Sequence, residues 1–542
     1  MLQPENQNKK YNHLFTDIDT GRLKIPQFQR DFVWSKAQTA KLIDSIIKGF
    51  PIGTFILWKT QEELRHFKEI GNSTLPNTPK GETVYYVLDG QQRITSLYAV
   101  RKGIRWNKDN VEINYQDISI NLLLDPDSDE DVVTLEPPTD APFISVYKVL
   151  HGSLTEFLEE FTIEQLRKIE VYQKRLTGYD FSTIVISNYP IDIACEVFTR
   201  INTGGTELTL FEIMVAKTFD LSRKFDLARE YSRLIDNKNG EKDLEDVGFD
   251  TVSASTVLQC IAAIISKQLR RSDILKLGKT EFIDTWPKAK NGLFQAVDYV
   301  RTYQRIPVSQ LIPYNSLLVP LTYFFVKNKG IPPSMFQHKM LTQYFWWASL
   351  TNRFSSATES KLMQDLERMD AILKNQAPGY RGEELELTLD DLRWRWFRTG
   401  DAFCKAILCL YASFQPHSFA TNHLVNIDNS WLSQINSRNY HHFFPRAYLK
   451  KRDYPDWKAN SILNITLVDD FLNKRKIGAK APSQYINEFA KENREISNSL
   501  ATHLIDDIEA FGINTDDYET FIEQRGQKIL AELKKRLEPD LE

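Results

Sequence analysis

The stretch Val84-Tyr-Tyr-Val-Leu-Asp-Gly-Gln-Gln-Arg93 decides the fold of the N-terminal part of the chain. Its first half is rich in β-branched and aromatic residues, which favours a strand. The pair Asp89-Gly90 then ends the strand, because glycine allows the tight turn that such a pair forms. Apolar residues return at helical spacing after Arg93, which predicts a helix as far as Gly103. The sequence therefore predicts a strand, a tight turn and a helix in direct succession.

The same stretch carries polar groups that suit an anion. The first backbone N–H groups of a helix have no intrahelical partner and attract negative charge, so a phosphate fits at this turn. Arg93 would add a charge-assisted contact to the phosphate, and Asp89 would hold a metal ion or a water. The alternative is an ordinary Asp-Gly turn with a surface arginine on the helix behind it.

Outward from this stretch, the chain divides into three regions. Residues 1–220 alternate short strand and helix signals, including capping boxes that begin at Ser35 and Thr209, and they predict an α+β domain. Residues 221–415 show mainly helical patterns separated by Gly and Pro. Residues 416–542 begin with a polar shift and combine a short strand-like part with a charged helical tail. We therefore predict an α+β multidomain protein with a mainly helical middle region.

The composition is that of a soluble globular protein. The 542 residues are 42% hydrophobic, and 68 Lys and Arg against 72 Asp and Glu give a net charge of −4. This balance argues against a chain-wide nucleic-acid coat but allows a local basic patch. The four cysteines show no zinc or disulfide spacing, and the sequence shows no membrane span or signal peptide. We predict a soluble, cytoplasmic protein.

Two further polar clusters lie in the same N-terminal domain. The segment IPQFQRDFVW places Gln29 and Arg30 between aromatic residues. The segment FTRINTGG puts Arg200 and Asn202 before a glycine pair, where a second anion-binding turn would fit. Taken alone, each cluster is better explained by a structural turn.

The N-terminal domain resembles the ParB-like N-terminal domain of the GmrSD family in four motifs that occur in the same order: IPQFQRDFVW, the turn at residues 49–52, VLDGQQR and FTRINTGG. GmrSD proteins are bacterial modification-dependent restriction and phage-defence proteins. The resemblance covers roughly residues 10–220. It implies a domain that binds and often hydrolyses a nucleoside triphosphate, and that regulates or senses rather than cuts. The nucleotide-binding residues that it implies are Gln29, Arg30, Asp89, Gly90, Gln91, Gln92, Arg93, Arg200 and Asn202.

The C-terminal region contains two histidines and two asparagines at informative spacing. His441 and His442 lie beside an aromatic pair, and Asn464 follows within ILNITL, which alternates as a strand. Asn473 comes nine residues later on a predicted helix. A histidine on one strand, an asparagine on the next and an asparagine on a helix form the layout of a ββα-metal (HNH) nuclease motif.

Phosphodiester hydrolysis needs these residue types. A base must take a proton from water, and a cation must neutralise the charge that develops. Neutral histidine suits the base, a role that we assign to His442. His441 and the side-chain carbonyl of Asn473 are the predicted ligands of a divalent cation, Mg²⁺ or Mn²⁺. Asn464 is predicted to hold His442 in place. The alternative is a surface His-His turn without chemistry.

The charge around these residues suits a phosphate backbone. Between Arg438 and Lys480 there are ten Lys and Arg against four Asp, a local net charge of +6 on a chain whose remainder is at −10. A basic island on an acidic protein is typical of a nucleic-acid footprint. The predicted DNA-binding residues are Arg446, Lys450, Lys451, Arg452, Lys474, Arg475 and Lys476. The alternative is a solvated charged face.

The C-terminal region also resembles the HNH domain of the GmrSD-like family, in the segments HHFFPRAYL and SILNITLVDDFLNKRKIGAKAPSQYI. The order of the two domains on one chain agrees with the family. Phe443 stands where the family commonly has isoleucine, and an apolar strand residue is compatible with that position. The resemblance implies cleavage of invading DNA that carries modified bases or backbone.

These observations predict a nucleotide-regulated, metal-dependent DNA endonuclease. Its predicted partners are DNA, which the family resemblance implies is modified, and a nucleoside triphosphate, and no membrane. A homo-oligomer is compatible with the sequence. One alternative is a nucleotide-gated scaffold protein whose HNH-like region no longer cuts. Another is an NTPase whose target is RNA or a protein.

Overall fold

The structure is a computed structural model, and it describes residues 3–27, 29, 32–62, 64–67, 69–71, 73–79, 81–108, 111–135, 137, 141–201, 209–238, 240, 242–380, 382–383, 385–429, 440–468 and 477–538. The chain divides into two compact units, Met1–Leu227 (unit 1) and Ala228–Glu542 (unit 2). Helices and strands are both present, as the sequence predicts. None of the helices in these described ranges is long and apolar enough to cross a bilayer.

Unit 1 alternates strands and helices. Its strands are β1 Glu5–Lys10, β2 Leu23–Lys24, β3 Phe55–Thr60, β4 Glu69–Ile70, β5 Ser73–Thr74, β6 Val84–Asp89, β7 Arg105–Lys108, β8 Val111–Asn114, β9 Ser119–Asn121, β10 Val133–Thr134, β11 Phe143–Ser145 and β12 Asp180–Ser187. Its helices are α1 Tyr11–Asp19, α2 Lys36–Ile47, α3 Gln91–Lys102, α4 Val146–His151, α5 Ile163–Gly178, α6 Ile191–Ile201 and α7 Leu210–Thr218.

A mixed five-stranded sheet in the order β1-β12-β3-β6-β2 organises unit 1. The strand β6 is the first part of the stretch Val84–Arg93, and it pairs antiparallel with β3 on one side and parallel with β2 on the other. Its apolar residues are buried because both of its edges are paired and helices cover the sheet. The predicted strand, turn and helix are therefore confirmed, with α3 ending at Gly103.

Local signals in unit 1 agree with the packing. Ser35 and Gln38 form the predicted capping box of α2, and Thr209 and Glu212 form that of α7. The apolar stripe of α2 then faces the core, where Ile43, Ile46 and Ile47 are almost fully buried.

Unit 2 is mainly helical. Its helices are α8 Leu227–Ile235, which begins at the last residue of unit 1, α9 Ala254–Ile265, α10 Arg271–Lys276, α11 Lys279–Thr302, α12 Leu318–Lys327, α13 Met335–Leu350, α14 Thr358–Leu373, α15 Leu389–Arg393, α16 Ala402–Ser413, α17 Arg446–Lys450, α18 Asp456–Ala459, α19 Pro482–Glu492, α20 Ile496–Ala501 and α21 Tyr518–Leu537. Its strands are β13 Tyr440–His442 and β14 Ile465–Leu467. The domain boundary predicted near residue 415 falls inside this unit and stays a prediction.

The helices of unit 2 pack closely. The helices α9, α11, α12 and α14 form one packed group, and α13 packs against α14, α16 and α21. Gly292 lies where α11 meets α12: a Cβ atom there would be 2.4 Å from Val326 Cγ2 and 3.1 Å from the Thr322 carbonyl oxygen. The absence of a side chain at this point therefore sets how closely the two helices approach.

The histidines lie on a short antiparallel hairpin. In it Tyr440 pairs with Leu467, His441 with Thr466 and His442 with Ile465. The predicted strand at ILNITL is shorter than expected, because Ile462–Asn464 forms a 3-10 turn and the strand begins at Ile465. The Ser461 side chain accepts from the Leu463 N–H and so caps this turn. The helix predicted to carry Asn473 lies outside the described residues.

Candidate functional site

The Asp89-Gly90 turn has the conformation that its sequence predicts. Gly90 precedes α3 with φ +93°, a conformation that strains residues with a side chain. A Cβ atom at this position would also lie 2.2 Å from the Phe55 ring. No side chain in the described part of the chain caps the start of α3. An uncapped helix N-terminus therefore follows the end of a central strand.

Arg93 is held by its own domain. Its guanidinium donates to the carbonyl oxygens of Ile52 at 2.6 Å and Thr54 at 3.1 Å. It also donates to the Asp89 carboxylate at 3.0 Å and lies over the Phe55 ring. The side chain therefore fixes the turn that precedes β3 against α3. A phosphate would have to share a guanidinium that already serves three acceptors.

The glutamines of the cluster are buried and bound. Gln92 Oε1 accepts from the backbone N–H groups of Val33 at 2.9 Å and Trp34 at 3.2 Å, and Gln92 Nε2 donates to Gln91 Oε1 at 2.9 Å. Gln29 donates to the carbonyl of Val87. These amides join the segment before α2 to β6 and α3, so they support the turn from within the domain.

The remaining predicted nucleotide residues are not brought to this turn by any described contact. Arg200 pairs with Glu196 one helical turn earlier, and 78% of its side chain is exposed. Arg30 and Asn202 lie outside the described residues. Gln29, Asp89, Gly90, Gln91, Gln92 and Arg93 thus form one connected cluster without them.

His441 is enclosed in unit 2 beneath its hairpin. Its Nδ1 is 3.0 Å from Thr466 Oγ1, and the Thr466 hydroxyl itself donates to the His441 carbonyl. The hydroxyl oxygen therefore accepts from the imidazole, which places the proton on Nδ1 and the lone pair on Nε2. This Nε2 atom is buried and has no hydrogen-bond partner among the described residues. Burial, with His442, His503 and Arg525 nearby, holds the His441 pKa well below its usual value.

His442 has a different environment. Its Nε2 is 2.8 Å from Asn460 Oδ1. Burial lowers the pKa of His442 to about 4, the Asn460 hydrogen bond opposes this shift, and the charge of Arg446 adds to it. The imidazole is therefore neutral at pH 7, the form that a general base requires.

Asn464 lies below the histidines and holds the backbone. Its Oδ1 accepts from the Phe444 N–H at 2.8 Å, and its Nδ2 donates to the carbonyls of Phe444 and Ala459, both at 2.9 Å. Asn464 therefore contacts the turn after the histidines. The residue whose side chain contacts His442 is Asn460. Sequence reasoning did not single out Asn460, because it lies outside the quoted motif; its polar side chain beside an apolar run was the available signal.

Both histidines line a cleft of about 420 Å³. Its wall also includes Phe397, Thr399, Tyr440, Pro445, Arg446, Ala447, Asn460 and Gly478. Among the predicted DNA-binding residues, Arg446, Lys450, Lys451 and Arg452 are exposed on α17 and the turn after it. Arg446 forms an ion pair with Asp456 at 3.1 Å. Arg446 thus brings a basic side chain, paired with Asp456, to the wall of the cleft, and the other three basic side chains lie further along α17 and after it.

The described residues contain no group of three or more His, Cys, Asp and Glu side chains that could hold a metal ion. Asn473, Lys474, Arg475 and Lys476 lie outside these residues. Of the two ligands predicted for the cation of this cleft, His441 and Asn473, His441 is the one that the structure describes, and the buried lone pair on its Nε2 has the chemistry of a metal ligand.

The fold and its residues define a two-part protein. A mixed α and β unit carries the Asp-Gly-Gln-Gln-Arg turn, and a mainly helical unit carries paired histidines on a hairpin that lines a cleft next to the basic helix α17.

Comparison with known proteins identifies the first part. The family model described as GmrSD restriction endonuclease, N-terminal domain, matches residues 11–219. The chain therefore carries an N-terminal domain of the GmrSD family, and the predicted resemblance is confirmed for this domain. The chain is also similar to the uncharacterized protein MJ0686 of Methanocaldococcus jannaschii, with 24% identity over 586 residues that cover 95% of this chain and 96% of that protein.

Proposed function

We propose that the protein is a restriction-type endonuclease that hydrolyses DNA phosphodiester bonds at the cleft of unit 2, with a divalent metal ion. The GmrSD N-terminal domain supports the class of protein. The observation that carries the site is the His442 imidazole, which is neutral, fixed through Nε2 and part of the wall of a cleft next to α17.

The residues of the cleft divide the chemistry among them. His442 takes the proton of the attacking water on its unprotonated nitrogen. Arg446 and the lysines near it attract the DNA backbone and orient a phosphate at the cleft. A divalent cation, when bound, would neutralise the charge that develops on the phosphate oxygens.

His441 fits a metal-ligand role. Its Nε2 lone pair lacks a partner among the described residues, and Thr466 fixes the tautomer that exposes it. Asn473 is the second proposed ligand. Mg²⁺ and Mn²⁺ suit such a site, because Mg²⁺ in particular keeps several waters and needs few protein donors. Asn464 supports the site by holding the backbone beside the histidines.

We further propose that unit 1 binds a nucleoside triphosphate and regulates cleavage. The uncapped N-terminus of α3 behind Gly90 supports this proposal, since such a terminus attracts phosphate. The test is equilibrium binding of labelled ATP and GTP to the full chain. Competition by unlabelled triphosphate is expected, and the absence of saturable binding would remove the proposal.

The test of the nuclease proposal is His442→Ala. The full chain should nick or linearise modified and unmodified phage DNA with Mg²⁺ or Mn²⁺, and His442→Ala should abolish cleavage while circular dichroism and the unfolding temperature stay close to those of the parent protein. His423→Ala is the matched control, because His423 is an exposed histidine of the same unit. Cleavage by His442→Ala at the parent rate would remove the assignment.

A further inference from the structure

The hydrogen bond between His442 and Asn460 has a fixed direction. The side-chain amide nitrogen of Asn460 donates to the backbone carbonyl of Phe397 at 3.0 Å. The backbone N–H of Phe397 in turn donates to the backbone carbonyl of Asn460 at 2.9 Å. Because the amide nitrogen is engaged by Phe397, the amide oxygen is the atom that faces His442, at 2.8 Å from Nε2.

This direction determines the tautomer of His442. An amide oxygen only accepts hydrogen bonds, so His442 Nε2 must carry the proton. A neutral imidazole with its proton on Nε2 has its lone pair on Nδ1. His442 Nδ1 makes no hydrogen bond to another residue in the described part of the chain.

Asn460 is held firmly enough to impose this geometry. It is 7% exposed and directly follows α18. Its backbone N–H donates to the Asp456 carbonyl at 3.0 Å, and the next residue, Ser461, donates to the Arg393 carbonyl at 2.9 Å. The backbone of Asn460 is therefore fixed, and its buried side chain is held at the amide nitrogen by Phe397, which leaves few other rotamers, so it can orient its neighbour.

We propose that Asn460 is a positioning residue for the nuclease chemistry: its side-chain oxygen fixes the His442 imidazole through Nε2–H and directs the Nδ1 lone pair to the attacking water. The proposal rests on the proposed function and assigns the orienting role to a residue outside the histidine and asparagine motif. Asn464, by contrast, acts on the backbone of Phe444.

The first test measures the tautomer directly. The ¹³C shift of the imidazole Cδ2 atom distinguishes the two neutral forms, and the His442 signal is assigned by its loss in His442→Gln. The parent protein and Asn460→Asp, which keeps an acceptor oxygen, should show the Nε2–H form. Asn460→Leu and the smaller Asn460→Ser should shift the signal towards the Nδ1–H form. An unchanged signal in either of the last two variants would overturn the proposal.

The matched control is Asn493→Leu. Asn493 is equally buried in the same unit, and its amide nitrogen binds the Phe419 carbonyl and the Ser499 hydroxyl. This variant loses a comparable amide but should leave the His442 signal in place. A shift as large as that of Asn460→Leu would show a general loss of structure and would count against Asn460.

The second test measures cleavage by the full chain with Mg²⁺. Asn460→Leu should lower kcat by about 10- to 100-fold, the range for supporting residues of metal sites, with KM unchanged. Asn460→Asp should restore most of kcat. A parent-like kcat in Asn460→Leu while His442→Ala is inactive would overturn the role of Asn460 and leave the proposed nuclease function intact. Cleavage that survives in His442→Ala would overturn the proposed function, whereas the Cδ2 shift would still report on Asn460.

Discussion

At the scale of single residues, Arg93 is bound by three acceptors of its own domain. Arg93→Ala should therefore destabilise unit 1 by about 3 kcal/mol, because it removes charge-assisted hydrogen bonds to two part-buried carbonyls and the ion pair with Asp89. Urea unfolding measures the loss. Arg200→Ala is the control, since its exposed pair with Glu196 should contribute less than about 0.5 kcal/mol. If Arg93→Ala had the same free energy of unfolding as Arg200→Ala and had lost only triphosphate binding, Arg93 would be a phosphate ligand and would not stabilise the domain.

Thr466 fixes the tautomer of His441, so the pair can be tested through metal affinity. Thr466→Val keeps the size of the side chain and removes the acceptor for Nδ1–H. We expect Mn²⁺ to bind about 10- to 100-fold more weakly, as measured by calorimetry. Thr95→Val removes a buried hydroxyl without a hydrogen-bond partner among the described residues and should leave Mn²⁺ affinity as it is. Equal affinities for both variants would contradict a ligand role for His441.

At the scale of elements, the approach of α11 to α12 depends on Gly292. Gly292→Val would place side-chain atoms against Val326 and the Thr322 carbonyl, where even a Cβ atom is too close. We expect a loss of about 1–3 kcal/mol in the free energy of unfolding from overpacking, measured by denaturant titration. A Cβ atom at Gly178, at the end of α5, would have no described neighbour within 4 Å, so Gly178→Ala should be neutral or slightly stabilising. A neutral Gly292→Val would show that the two helices can separate without cost.

The hairpin illustrates how far local sequence determines an element. Alternating apolar residues predicted a strand across ILNITL, yet Ile462–Asn464 forms a turn and the strand begins at Ile465. Periodicity cannot show this difference, because the turn depends on distant partners. Arg525 on α21 donates to the carbonyls of Leu463 and Ile465, and these contacts shape the backbone on both sides of Asn464.

At the scale of the whole molecule, buried histidines make stability depend on pH. Burial lowers the pKa of His503 to about 3 and that of His442 to about 4. In the unfolded chain both histidines have a pKa of about 6.5, so the unfolded chain binds protons more readily than the folded one. Stability should therefore be constant above about pH 6.5 and fall as the pH drops towards 4. Each histidine should contribute a loss of roughly 2 kcal/mol between pH 6.5 and pH 5.

Urea unfolding at pH 7.5 and pH 5 measures this loss. His503→Gln keeps a donor for the His417 carbonyl but cannot take up a proton, so its stability should change less between the two pH values than that of the parent chain. The same pH dependence in His503→Gln and the parent chain would contradict the assignment to His503.

Sequence by itself determined the elements whose causes are local. The strand, turn and helix around Gly90 follow from β-branched residues, a glycine and helical spacing, and the capping boxes at Ser35 and Thr209 follow from residues three positions apart. The motifs that point to the GmrSD family are also local, and the family match over residues 11–219 agrees with them.

Only the tertiary structure decided which side chains meet. Arg93 binds carbonyls about forty residues away, and Asn460 reaches His442 because the segment after α18 pairs with the chain around Phe397. Such partners come together through packing of the whole unit, and no periodicity or spacing in the sequence encodes their distance. The sequence alone therefore pointed to the two histidines, whereas their hydrogen-bond partners became evident only from the tertiary structure.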